Sequence, residues 1–316
     1  MKINKFFLFN SRFSTELTFI NLKFMRPRIG AHVSAAGGLY KAIENAQAIG
    51  AECIQIFGAS PRTWRGVLPS AEQVKKFRSA AAAAGINHIY LHASYLVNLA
   101  SAKAYNREQS ILSLIDHLKI AELLGARGLI FHLGSSGVGG DINAAKKYTI
   151  EGINKILKAV PASPAGGPGK AKLILENSAG GGAKLGLTFH QIGELFHGAA
   201  SERLGICFDT AHGFEAGLID DYTPEKTKKL FDEFDREIGL EHLMVLHLND
   251  SKTVFGSHHD RHENLGEGQI GFAGFKNLAS DKRLWQADWI LEVPGFDGLG
   301  PDKKNADLLK SLFEKN

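Results

Sequence analysis

Eight short apolar runs, each followed by a stretch of a different spacing, constrain the fold of this 316-residue chain more than any other feature. They are RIGAHV (28–33), ECIQIF (52–57), HIYLHA (88–93), GLIFHL (128–133), AKLILE (171–176), LGICFD (204–209), LMVLHL (243–248) and DWILEV (288–293). Each is dense in Ile, Leu, Val or Phe, as strands buried on both faces of a parallel sheet are. Between them, residues 39–50, 70–85 and 107–125 carry apolar residues at helical spacing and end on Gly50, Gly85 and Gly125, which predicts helices closed by glycine caps. Ser70 with Gln73 predicts a capping box. Further helices are expected within 141–160, 188–198, 223–239 and 303–316.

Eight β–α units predict an α/β fold, a single-domain (β/α)8 TIM barrel. An open doubly wound sheet is disfavoured, since no GxGxxG follows the first run. The expected boundaries are an irregular extension over 1–27, disordered or preceding a true start at Met25, and a barrel catalytic domain over 28–316. Residues 161–170, rich in Pro and Gly, read as a loop insertion at the N-terminal side of the barrel.

Composition sets outer bounds. No run of 18 apolar residues exists, so no membrane span is expected. Cys53 and Cys207 lie inside apolar runs with no CxxC, which reads as buried thiols of a reducing compartment. The net charge is +4, of which residues 1–24 supply +3 through Lys2, Lys5, Arg12 and Lys23 against Glu16. The body is therefore nearly neutral, and a nucleic-acid partner would have to be held by a local basic face or by bound metal. The first 24 residues lack the apolar core and cleavage site of a secretory signal. A cytoplasmic location is expected, with organellar targeting by these basic residues as the alternative.

Chemistry concentrates where the runs end. His32, His92, His132, Glu176, Asp209, His247 and Glu292 lie at or near the ends of seven of them, and His212, Asp260 and His262 follow in loops. One such His is ordinarily a hydrogen-bonded structural residue. Taken together they would converge on the C-terminal face of a barrel, where active sites lie. Four carboxylates gathered there would repel one another without a cation. Setting His32 aside, five His, two Asp and two Glu make nine candidate ligands, enough for two or three divalent metals. A site of this kind suits phosphodiester chemistry, because clustered metals activate water and stabilise both entering and leaving oxygens.

The same residues sit in stretches that resemble the endonuclease IV family of zinc-dependent apurinic/apyrimidinic DNA endonucleases. These are RIGAHVSAAGG (28–38), QIFGASPRTW (55–64), LHASYLVNL (91–99), FHLGSS (131–136), LILENSAGGG (173–182), GICFDTAHGFEAG (205–217), HLNDSK (247–252), DRHENLGEGQIG (260–271) and ILEVPG (290–295). The resemblance implies three zincs, with manganese feasible at one or more sites. His92 and His132 would hold the first, and Glu176 would bridge it to the second. Asp209, His247 and Glu292 would complete the second, while His212, Asp260 and His262 would hold the third. His32 would support the ligands without being one. The implied reaction is hydrolysis 5′ to an abasic site by a metal-bound hydroxide, leaving a 3′-hydroxyl and a 5′-deoxyribose phosphate, with 3′-end cleaning at the same site.

Arg62, Tyr95 and Leu96 match family residues that enter the duplex and help hold the abasic nucleotide outside it. The implied partner is double-stranded DNA with abasic sites, bound by a monomer without membrane attachment. The chain departs from the family at Gly58-Ala59-Ser60, where Thr, Lys and Asn are usual, and at Ala93, Ala211 and Gly182. Two rival functions are a sugar isomerase or epimerase, needing one or two metals, and a non-catalytic binder of damaged DNA.

Overall fold

The computed structural model describes residues 26–161 and 171–314. Ten strands appear in chain order: β1 (Ile29–His32), β2 (Cys53–Phe57), β3 (Ile89–His92), β4 (Gly128–His132), β5 (Lys172–Glu176), β6 (Leu204–Asp209), β7 (Leu243–His247), β8 (Asp250–Ser251), β9 (His262–Glu263) and β10 (Asp288–Leu291). Eight of them, all but β8 and β9, close into one parallel barrel in the order β1-β10-β7-β6-β5-β4-β3-β2. Each of the eight apolar runs is one of these strands. The pair β8–β9 is a separate antiparallel hairpin, with Asp250 opposite Glu263 and Ser251 opposite His262.

Among the described residues nine α-helices accompany the strands: α1 (Lys41–Ile49), α2 (Ala71–Ala84), α3 (Ala104–Leu124), α4 (Ile142–Ala159), α5 (Phe189–Ala199), α6 (Thr210–Glu215), α7 (Pro224–Glu237), α8 (Gly271–Ser280) and α9 (Lys303–Ser311). The Ser70–Gln73 capping box opens α2, and Gly50, Gly85 and Gly125 are left-handed caps of α1, α2 and α3. The short α6 and the glycine-bearing α8 were not expected from spacing. No helix among the described residues is long and apolar enough to cross a membrane.

Of the proposed extension, Arg26 and Pro27 are described. Pro27 is buried, and the Arg26 guanidinium reaches Glu52, with Nη1 at 2.7 Å from Oε2. The rest of the proposed extension, with the alternative start at Met25, lies outside the described residues. So does the loop insertion, apart from Pro161.

Side chains two apart on a strand share a face, and this period builds the interior in layers. Cys53, Tyr90, Ile130, Ile174, Cys207, Val245 and Ile290 form one buried cluster. Two residues further along their strands come Gln55, His92, His132, Glu176, Asp209, His247 and Glu292, and His32 ends β1. The register explains how these meet. Neighbours align directly at His32↔Gln55, His132↔Glu176 and Asp209↔His247. They are offset by two residues where Gln55 faces Tyr90, His92 faces Ile130, Glu176 faces Cys207 and His247 faces Ile290. These four two-residue steps make up the shear of eight that an eight-stranded TIM barrel requires. All eight strands therefore contribute one polar side chain to the C-terminal mouth, two more than the six strands read as contributing ligands.

Candidate metal centre

Glu176, fully buried at the end of β5, is the centre of the arrangement. Its Oε2 lies 3.1 Å from His92 Nε2 and 3.6 Å from His132 Nδ1. Its Oε1 lies 2.9 Å from His247 Nδ1 and 3.5 Å from His212 Nδ1. Glu292 Oε2 is 3.2 Å from His247 Nδ1, and Asp209 Oδ2 is 3.8 Å from the same atom. On the other side, His262 Nε2 is 3.6 Å from Asp209 Oδ2 and 3.5 Å from Asp260 Oδ1, and His212 Nε2 is 3.2 Å from Asp260 Oδ2.

Three overlapping donor groups result. His92, His132 and Glu176 form one; Glu176, Asp209, His247 and Glu292 a second; Asp209, His212 and His262 a third. In each, one ligand atom per residue falls within 4.8 Å of the others. Asp260 adjoins the third. Asp209, expected in the second group alone, faces both. A further grouping includes Cys207 with Glu176 and His247, but burial pushes that thiol up to about 12 and keeps it a protonated core group.

The donors fit divalent cations on two grounds. The first is chemical: imidazole nitrogens and carboxylate oxygens are the ligands of zinc and manganese. The second is that His212 Nε2 and His262 Nε2 are buried yet make no aligned hydrogen bond among the described residues. Buried polar atoms are ordinarily paired.

Electrostatics agree. Burial pulls the His132 imidazole down to about 4, although the neighbouring Glu176 favours the charged ring. At His92 burial is outweighed by the bond to Glu176, and at His212 by Asp209 and Asp260, so both are raised. Burial would raise the acids as well. The imidazoles of His132 and His247 instead hold Glu176 well below the usual carboxylate range, and those of His247 and His32 do the same for Glu292. The acids stay ionised only because imidazoles surround them, and a metal would supply the same compensation while releasing ring protons.

Gln55, Asn249 and Asn177, which sequence reasoning passed over, surround the donors together with His32. Gln55 Nε2 donates to Glu292 Oε1, while Gln55 Oε1 lies 2.8 Å from His247 Nε2. His32 Nδ1 is 3.2 Å from Glu292 Oε1 and 2.9 Å from Gln55 Nε2, so His32 touches ligand residues from behind. Asn249 Nδ2 donates to Asp209 Oδ2 at 2.7 Å, and its Oδ1 accepts from the Glu292 amide at 2.8 Å. Asn177 brackets the Asp209 backbone, and its carbonyl accepts from His212 Nδ1 at 3.0 Å. The available signal was position: both Asn residues follow a ligand by one or two places.

Six of the donors, His92, His132, His212, Asp260, His262 and Glu292, line a cleft of about 480 Å³ whose rim includes Tyr95, Arg261 and Gly298. Tyr95 is 65% exposed and Leu96 38%, and Arg62 stands exposed on the neighbouring loop. The two loops are tied together: Tyr95 N and Ser94 Oγ both donate to the Pro61 carbonyl, at 3.1 and 2.8 Å. The Tyr95 ring meets Phe57 edge-on at 5.3 Å.

Two departures have local structural causes. A Cβ at Gly58 would stand 2.6 Å from Leu91 Cδ2 and 3.1 Å from Ile120 Cγ2, so this core fills the space a threonine would need. Gly182 takes a φ of 58°, the left-handed region that favours glycine. Ala93 and Ala211 are buried.

Comparison with known proteins places this geometry among relatives. A family model described as a xylose isomerase-like TIM barrel matches residues 43–314. The "Probable endonuclease 4" of Trichlorobacter lovleyi is 36% identical over 289 residues, covering 91% of this chain and 100% of that protein. The crystal structure of endonuclease IV from Thermus thermophilus aligns with a TM-score of 0.76 at 38% identity, covering 90% of this chain and 98% of that one. A D-tagatose 3-epimerase-like protein, at 17% identity and TM-score 0.68 over 90% and 96% of the two chains, shares the fold alone.

Proposed function

The chain belongs to the endonuclease IV family of xylose isomerase-like TIM barrels, and on that premise we propose that this nuclease hydrolyses the phosphodiester 5′ to abasic sites in double-stranded DNA. The products would be a 3′-hydroxyl and a 5′-deoxyribose phosphate, and the same site would trim blocked 3′ ends. The observation that carries this reading is the third donor group. His212, Asp209 and His262, with Asp260 beside them, exceed what one or two metals need.

His92 and His132 would hold one ion, His247, Asp209 and Glu292 a second, and His212, Asp260 and His262 a third. Glu176 would be shared by the first two. Zinc bound there, or manganese at one or more positions, would supply activated water and positive charge at the scissile phosphate. The chain's own residues do the rest. Gln55, His32 and Asn249 hold Glu292 and His247 in place, so the ligands need no reorganisation when DNA arrives. Tyr95 and Leu96 present apolar surface and Arg62 a guanidinium at the cleft mouth. Such side chains can wedge between bases, and a missing base lowers the cost of turning the nucleotide out of the stack. The enzyme is proposed to act as a monomer in the cytoplasm.

The test is a duplex carrying a single tetrahydrofuran site, incubated with the purified chain and zinc, alongside a metal count. Scission 5′ to the lesion by protein with three ions per chain is expected. Binding with background scission would favour the non-catalytic binder. One ion per chain in protein that cuts the duplex would overturn the trinuclear reading, and one or two ions with neither scission nor DNA binding would favour a sugar isomerase or epimerase.

A further inference from the structure

The segment that carries Asp260 and His262 is held by two buried acids, and only one of them lies within it. Asp250 accepts from the amides of Gly266, Gly268 and Ile270, at 3.0, 3.1 and 2.9 Å, and so fixes the Gly-Glu-Gly turn. The nearer half is fixed from outside. Glu215, the last residue of α6, is fully buried. Its Oε1 accepts from Ser251 Oγ at 2.7 Å, Thr253 Oγ1 at 3.2 Å and the Arg261 amide at 3.2 Å. Its own carbonyl accepts from the His258 amide at 3.0 Å. One carboxylate oxygen thus joins the start of the loop, at Ser251, to the residue between Asp260 and His262.

We propose that Glu215 is a positioning residue for the third metal: it sets the height of Arg261 above α6, and with it the aim of Asp260 and His262 toward His212. This assignment rests on the proposed function, in which those three residues hold an ion. Three observations favour this role over plain packing. Glu215 Oε2 is buried without a hydrogen-bond partner among the described residues, so the carboxylate is kept despite imperfect satisfaction. The Asp260 side chain is 41% exposed, so packing alone does not hold it. His212 also lies on α6, three residues before Glu215. The helix therefore supplies one donor of the third group and the tether for the other two.

The experiment uses the full chain with Glu215→Ala, Glu215→Gln and Glu215→Asp, and reads metal per chain, kcat and KM on the tetrahydrofuran duplex, and the melting temperature after chelation. Glu215→Ala should lose one ion per chain and about 10–100-fold in kcat, the usual cost of removing a ligand's support, with KM little changed. Glu215→Gln keeps an oxygen for Ser251 and Arg261 and should restore the metal count. A Glu215→Ala protein with wild-type metal content and kcat overturns the assignment. If that variant does not fold, Glu215→Asp decides: it keeps the buried carboxyl group but withdraws it from Arg261, and full metal content there overturns the assignment equally. Wild-type protein that holds no metal or cuts no abasic duplex would instead overturn the proposed function, and this assignment with it.

Discussion

The two ends of the barrel bury carboxylates in opposite ways. At the N-terminal end, Asp288 Oδ2 accepts from Tyr90 Oη at 2.6 Å, His88 Nδ1 at 2.5 Å and Arg127 Nη1 at 3.3 Å, with Arg28 Nη1 3.7 Å from Oδ1. One acid meets two guanidiniums, which are charged at any working pH. At the C-terminal mouth, the acids of Glu176, Asp209, Asp260 and Glu292 have only imidazoles as ionic partners; among the described residues no Lys or Arg nitrogen lies within 4.0 Å of them. The N-terminal acid has guanidinium counter-charge within the protein, although Asp288 Oδ1 is itself buried without a hydrogen-bond partner among the described residues. The mouth is complete only with added positive charge, and its partners are groups that can surrender a proton and become ligands. A buried acid alone does not indicate a metal; the nature of its counter-charge does.

This contrast can be broken by mutation. Glu176→Ala removes the acid shared by two donor groups. It should reduce abasic-site cleavage by more than the roughly 10–100-fold that loss of an outer partner costs; near-normal turnover would show that the mouth does not work as one centre. Gln55→Leu frees Glu292 and His247 from their common hydrogen-bond partner and should fall within that 10–100-fold range, measured as kcat at unchanged melting temperature.

Asp288→Asn tests the opposite end. It should lower stability by about 1.5–3 kcal/mol, the worth of hydrogen bonds to a charged group, read from urea midpoints, while kcat per folded molecule stays the same. Loss of activity without loss of stability would erase the distinction between the ends. The smallest effect is expected at Glu52. Burial would raise this carboxyl, but the Arg26 guanidinium and the Ile29 amide hold it below the usual range. A depressed acid stabilises the fold above its unfolded pKa and loses that contribution as pH falls through the folded value. Glu52→Gln should therefore cost only about 0.2–1 kcal/mol near neutral pH, given the pair's partial exposure, and the gap between the two melting curves should close on acidification.

Much of this contrast was legible in the chain, for physical reasons. Strands buried on both faces leave unbroken apolar runs, and a polar residue ending such a run must point into the barrel if its neighbour two places earlier does. That is why the sequence alone groups His92, His132, Glu176, Asp209, His247 and Glu292 at one end of the barrel. Gln55 escaped because an amide is neither a ligand nor a titrating group, although it occupies the equivalent place on β2. Glu215 escaped because the six-residue α6 is too short to express a helical period, so nothing in its spacing marked the glutamate as buried. The hairpin β8–β9 has two-residue strands, too short to express a period. α8 begins at Gly271, whose φ of 71° is non-helical, and Gly274 dilutes its apolar stripe. The N-terminal Asp288 cluster was invisible because Arg28, His88 and Arg127 precede their strands and Asp288 opens its own, positions at which sequence pattern says nothing about direction.

The register steps between strands have a consequence for how the centre comes into being. His92, His132 and Glu176 lie on β3, β4 and β5, consecutive along the chain, so a polypeptide emerging as far as residue 176 already carries one whole donor group. The second group needs Glu292, just past β10, a strand that must slot between β7 and β1 to close the ring. Full metal loading would then be a record of ring closure: a misaligned or truncated barrel could still grip an ion at β3–β5, but not the set that surrounds Glu176.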